Sequence, residues 1–216
     1  MNRFIQDFHR KVNIGINERN IIQPSILNAQ LDVLVNNAGT SWGEDPYNTT
    51  RTSGRANWGW DKVMDLNVKG IFYLSRACVP LLVRDDAHKA DPGRIINIGS
   101  IAGIMTQEAP THAYDVSKTA VHHLTKKMAA DLAPKNVTVN AIAPGYVPSR
   151  MTQGLEMYGV DKESIASSIP LGRMGEEDDM AGAAIFFSSK AGSWTTGAVL
   201  NVDGGALTRQ VAISSL

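Results

Sequence analysis

Four short apolar runs, each rich in β-branched residues and each stopped by turn formers, constrain the fold of this chain more than any other feature. Leu31-Asp32-Val33-Leu34-Val35 leads into Asn36-Asn37-Ala38-Gly39, and Arg94-Ile95-Ile96-Asn97-Ile98 leads into Gly99-Ser100. Val137–Ile142 is closed by Ala143-Pro144-Gly145, and Ala198–Val202 by Asp203-Gly204-Gly205. Runs of this kind read as strands buried in a sheet. Between them the apolar period changes to three and four residues. Val63, Leu66, Ile71, Leu74 and Leu82 predict a helix over about 60–84, with Gly70 and Pro80 predicting a break near Asn67. Val116, Ala120, Leu124, Met128 and Leu132 predict a second over 113–132, ended by Pro134. A third, over 176–189, starts with acidic residues that suit the helix dipole. Residues 40–60 read as a long loop, 85–92 as a solvated connection, and 146–175 as a mobile segment with short helices. Strands alternating with helices predict a doubly wound parallel α/β sheet covered on both faces. No repeat or internal boundary divides it, so a single domain over 1–216 is expected.

Composition narrows the class of partner. Lys and Arg total 21 and so do Asp and Glu, which excludes a broad charged field for nucleic acid or anionic membrane. One cysteine, Cys78, excludes an internal disulfide framework and suits a reducing compartment. No apolar run approaches a membrane span, and Met1–Arg10 lacks the apolar core of a signal peptide. A soluble, cytoplasmic protein is expected.

The chemistry concentrates in Tyr114-Asp115-Val116-Ser117-Lys118. Four residues apart on a helix, Tyr114 and Lys118 share one face and can touch a common ligand. An ammonium a few Å from a phenol favours phenolate by about 4 kcal/mol at an effective dielectric near 20, roughly three pKa units. That shift would bring the tyrosine towards working pH. Ser100 ends a strand and so places a hydroxyl at the carboxyl edge of the sheet, where ligands bind in open α/β folds. Taken alone, a Tyr–Lys pair at this spacing is more readily a surface contact; Ser100 makes it a candidate reaction centre.

With Gly99-Ser100, Asn36-Asn37-Ala38-Gly39, Asn67-Val68-Lys69-Gly70, Pro144-Gly145 and Asp203-Gly204-Gly205 in this order, the chain resembles the short-chain dehydrogenase/reductase family over residues 31–205. It is similar in subtype to 3-oxoacyl-carrier-protein reductases and reductases of secondary pathways. The resemblance implies a Rossmann-like fold and hydride transfer between NAD(P)(H), NADP(H) ahead of NAD(H), and a carbonyl or secondary alcohol. It implies that Tyr114 donates or accepts the proton and that Ser100 hydrogen-bonds the substrate oxygen. Lys118 would lower the tyrosine pKa and bind the nicotinamide ribose, and Asn67 would hold a water linking Lys118 to solvent. Asn37 matches a position near the adenosine side of the cofactor. Val147 and Ser149 match contacts to the nicotinamide amide and a phosphate, Ser149 standing where many relatives have Thr. Lys69 is a weaker candidate for cofactor contact. A homodimer or homotetramer built from about 68–84, 113–132 and 198–205 is also implied.

The departure from the family lies upstream. No Gly-x-Gly-x-x-Gly occurs, nor the family's Thr-Gly-x-x-x-Gly-x-Gly. That loop and its flanking units need some 60 residues before Asn36, and 35 precede it. The expectation is therefore a domain lacking its first βαβ region, with Leu31–Val35 left as a sheet edge and a weak hold on cofactor. Val12–Asn17 alternates like a strand and reads as a remnant or substitute. The competing expectation is a non-catalytic remnant or isoform acting only through oligomerisation. A serine hydrolase is the most distant reading, since Gly99-Ser100-Ile101-Ala102-Gly103 is not Gly-x-Ser-x-Gly. His112, His122 and His123 lack metal-ligand spacing and read as solvent-facing or structural. Trp42, Trp58 and Trp60 line a pocket or pack a loop.

Overall fold

A computed structural model describes residues 30–43, 55–84, 89–149 and 162–208, with the side chains of 55–58 excepted. Its elements are β1 (Val33–Asn36), α1 (Arg55–Met64), α2 (Ile71–Leu82), β2 (Gly93–Ile98), α3 (His112–Leu132), β3 (Val137–Pro144), α4 (Lys162–Ser168), α5 (Glu177–Ser188) and β4 (Val199–Val202). The strands form one parallel sheet in the order β1-β2-β3-β4. Parallel pairing requires long crossovers, and α2, α3 and α5 supply them.

Successive strand residues point to opposite faces, and both faces are covered. Ile95 and Val139 pack with Cys78 and Leu82 of α2 and Met128 and Leu132 of α3. Ile96 and Ile142 face the other way, against Ala183 and Phe187 of α5. This two-sided burial is why the middle strands read as largely apolar runs rather than as an alternation. Among the described residues β1 pairs with β2 alone, and Val35 on it is exposed. The Val12–Asn17 alternation lies outside the described residues.

Several boundaries differ from the sequence reading. Helix α1 begins at Arg55, so Trp58 and Trp60 stand on a helix rather than in the 40–60 loop. Trp42 packs across this helix, its ring filling the space a Cβ on Gly59 would need. The break near Asn67 is a π-helical segment, Asp65–Gly70, joining α1 to α2. Pro80 does not stop α2, because it sits exposed in the last turn. Among the described residues of 146–175, the short helix α4 forms; residues 150–161 lie outside them.

The π segment explains the burial pattern around it. Val63, Asn67, Ile71, Ser75, Cys78 and Leu82 are all buried, in steps of four, four, four, three and four. On an ideal α-helix each step of four drifts by about 40°. A wider turn, with i→i+5 bonding, offsets that drift and keeps Asn67 and Ser75 facing inward.

Candidate active site

The four described strands end at one edge of the sheet, and the turns that follow them carry several of the candidate residues. Asn37–Gly39 follows β1, Gly99-Ser100 follows β2, Gly145–Val147 follows β3 and Asp203–Gly205 follows β4. Gly204 and Gly205 take φ of +63° and +88°, values that exclude most side chains. Asp203 fixes this last turn by accepting from the Gly205 and Leu207 amides at 3.0 Å each.

Helix α3 brings Tyr114 and Lys118 to the same edge. The Lys118 side chain is buried, only 5% exposed, and its Nζ donates to the Ile98 carbonyl at 2.8 Å, at the end of β2. The same ammonium stands 5.4 Å from the centre of the Tyr114 ring. The Ser100 side chain lies near enough to the Tyr114 phenol to act on its ionisation. Ser100 also caps the short turn that follows it, its Oγ accepting from the Ala102 amide at 3.1 Å. Ser100, Tyr114 and Lys118 are thus brought together.

The electrostatics differ from the sequence expectation. Burial, the largest influence, pushes the Tyr114 phenol above its ordinary value; Asp115 adds to this and the Ser100 side chain opposes it. The lysine does not bring the phenol down here. The ammonium is itself desolvated and committed to Ile98, and burial pulls it down to about 8.

Asn67 is 0% exposed and its amide is committed three times. Oδ1 accepts from the Thr40 amide, while Nδ2 donates to the Thr40 carbonyl and to Ser117 Oγ, each at 2.9 Å. Ser117 in turn donates to the Tyr114 carbonyl at 2.7 Å. Asn67 thereby ties the turn after β1 to the helix that carries Tyr114. The Ile71 amide bonds to Val68 rather than to the Asn67 carbonyl four residues back.

The remaining candidates are placed differently. Asn37 is exposed on the turn after β1. Val147 lies against Gly175, whose amide donates to the Tyr146 carbonyl at 2.9 Å; Ser149 is exposed two residues on. Lys69 is not brought to Tyr114: it pairs with Asp65 at 2.6 Å on the exposed side of the π segment.

Polar residues buried within the strands form a ladder beneath the site. Asn36 Nδ2 lies within hydrogen-bond distance of Ser75 Oγ, at 2.9 Å, and Asn97 Oδ1, at 2.8 Å. Asn97 donates to Thr125 at 2.9 Å, and Thr125 to the Val121 carbonyl at 2.8 Å. The ladder joins α2, β1, β2 and α3 just below the functional turns. His122, read as solvent-facing or structural, is buried against Ser100; His112 and His123 are exposed. The signal for the ladder was a lone Asn within an apolar run, as in Arg94–Ile98.

The residues fit the nicotinamide-ribose half of a dinucleotide. Lys118 has three N–H groups, one spent on Ile98. The turn after β1 comes close to it, a Cβ on Gly39 falling 3.7 Å from Nζ. No glycine-rich loop for the pyrophosphate occurs in the sequence. Among the described residues no group of acidic, His or Cys side chains could hold a metal ion, and no helix is long and apolar enough to cross a membrane.

A family model described as enoyl-(acyl carrier protein) reductase matches residues 26–207. The rhamnolipids biosynthesis 3-oxoacyl-[acyl-carrier-protein] reductase of Pseudomonas aeruginosa is 43% identical over 181 residues, 83% of this chain and 67% of that protein. The galactitol 2-dehydrogenase (L-tagatose-forming) of Cereibacter sphaeroides is 39% identical over 178 residues, 82% of this chain and 66% of that protein. The chain therefore spans about two thirds of the length of these relatives. Among solved structures, the P. aeruginosa RhlG/NADP active-site complex matches with a TM-score of 0.70 and 40% identity, over 84% of this chain and 68% of that one.

Proposed function

Because this chain belongs to the short-chain dehydrogenase/reductase family, we propose that it interconverts a carbonyl and a secondary alcohol with NADP(H), ahead of NAD(H), as hydride partner. The observation that carries this reading is the meeting of Ser100, Tyr114 and Lys118 at the carboxyl edge of the sheet. When bound, the nicotinamide supplies or takes up the hydride. Tyr114 keeps its proton at neutral pH, the form that can donate to a carbonyl oxygen. Ser100 holds that oxygen beside the phenol. Lys118 remains mostly cationic at pH 7 and stabilises the phenolate left after proton transfer. A water returning the proton through Lys118 would sit on the Asn67 main-chain carbonyl, since the Asn67 amide is already committed.

Asn37, Val147 and Ser149 supply the cofactor's further contacts in this reading, and Lys69 a peripheral one. The substrate class follows the acyl-carrier-protein reductase relative more closely than the sugar-alcohol dehydrogenase, on its higher identity. A homodimer or homotetramer is proposed as well. Phe72 and Tyr73 on α2, Ile185 and Phe186 on α5, Leu200 on β4 and Trp194, which is 98% exposed, leave apolar surface for a second copy.

The test is NADPH oxidation with a 3-oxoacyl thioester and with a ketose, for the wild type and Tyr114→Phe. Thioester-dependent turnover that Tyr114→Phe abolishes, with NADPH affinity kept, is the expected result. Full activity in Tyr114→Phe would overturn the assignment. An oligomer without turnover on either substrate would favour the non-catalytic reading, and a monomer by light scattering would remove the assembly.

A further inference from the structure

We infer that His122 is a positioning residue: a neutral imidazole that clamps both ends of the Ser100–Gly103 turn and so holds the Ser100 hydroxyl against Tyr114. The inference rests on the reading of Ser100 and Tyr114 as the reacting pair. His122 lies on α3 one turn beyond Lys118 and is 8% exposed. Its Nε2 accepts from the Ser100 backbone amide at 3.4 Å, and the Gly103 backbone lies against the same ring. An accepting Nε2 leaves the proton on Nδ1, which matches the Gly103 carbonyl as acceptor.

Two glycines let the turn approach the ring and the α3 backbone beside it. A Cβ on Gly99 would overlap His122 Nε2, and one on Gly103 would lie 2.9 Å from Cε1. Between these contacts the turn closes on itself, the Gly103 amide donating to the Ser100 carbonyl at 3.0 Å. Both ends of the turn therefore rest on one side chain of the helix that carries Tyr114. Burial holds the ring down to about 4, helped by the Lys118 and Lys126 ammoniums one turn to either side. The clamp is thus uncharged at neutral pH. A second ring proton would set N–H against the Ser100 N–H.

The role is tested in the full chain with His122→Leu, His122→Gln and, as a control, exposed His123→Leu. Gln can accept from the Ser100 amide and donate to Gly103, whereas Leu only fills the volume. His122→Leu should lower kcat about ten- to a hundredfold, the scale expected when a reacting group is misplaced, with NADPH affinity unchanged. His122→Gln should recover most of that loss, and His123→Leu should match the wild type. Undiminished kcat in His122→Leu, or no recovery in His122→Gln when both variants fold, would overturn the inference. A readout independent of turnover is 15N-histidine NMR at neutral pH. A bare Nε2 with a protonated Nδ1, and a Ser100 amide protected from exchange, are expected. An Nε2–H tautomer or an unprotected Ser100 amide would overturn the clamp even in an inactive protein. Inactivity with the expected tautomer would sink the proposed reaction and leave the clamp standing.

Discussion

Asn67→Ala should destabilise the fold by about 2–4 kcal/mol while leaving the core intact. The side chain is fully buried and makes three hydrogen bonds, two to the Thr40 backbone and one to Ser117. Each such bond contributes about 1 kcal/mol net, and more when its partner is left buried and unpaired. Thr40 is half-buried, so water can recover part of the loss and set the lower bound. For a chain of this size the drop corresponds to roughly 5–12 °C in Tm. Urea unfolding with an unchanged m-value gives the stability change, and amide exchange at Thr40 gives its location. Ser117→Ala removes one of the three bonds, so a double-mutant cycle with Asn67→Ala should return a coupling of about 1 kcal/mol. A loss below about 1 kcal/mol, with the Thr40 amide still protected, would refute the argument that Asn67 ties the β1 turn to α3.

Three further outcomes follow from the site's electrostatics and packing. Burial lowers Lys118 from 10.5 to about 8, so the unfolded chain binds the extra proton between those values. Stability should therefore rise with pH across that window by up to about 3 kcal/mol, and Lys118→Met should flatten the profile in urea titrations. His122 is lowered from 6.5 to about 4, so its contribution is present above 6.5 and lost as pH falls through 4. His122→Gln should remove up to about 3 kcal/mol of that acid sensitivity, read from unfolding midpoints across pH 4–7. Gly99→Ala should cost at least about 1–3 kcal/mol, because its new methyl overlaps the His122 ring; a calorimetric Tm equal to the wild type would contradict the close approach.

The parallel sheet was legible because strands covered on both faces must be apolar throughout, and Arg94–Ile98 and Val137–Ile142 are nearly so. Tyr114, Lys118 and Ser100 were legible through spacing, since a helix turn and a strand end fix where those side chains go. The direction of the Tyr114 shift was not. Spacing places an ammonium near a phenol but says nothing of the water removed from both. The place of Lys69 was hidden for a related reason: Asp65, four residues back, holds it on the solvent side. The Asn36–Asn97–Thr125 ladder was hidden because a buried polar residue looks like noise in an apolar period until its partners, scattered over 89 positions of sequence, come together.

The π segment at Asp65–Gly70 has a consequence for how the gene can vary in length. A π turn holds one residue more than regular helix needs for the same span. Removing one residue there would let the chain close into ordinary α-helix, with Ile71, Ser75, Cys78 and Leu82 still facing the sheet. Removing one elsewhere in α1 or α2 would swing everything beyond it by about 100° and carry those side chains out of the interior. The helix thus contains one expendable position as far as folding goes. The same deletion would draw Asn67 away from Thr40 and Ser117, giving a protein that is properly folded and has lost the brace of its reaction centre.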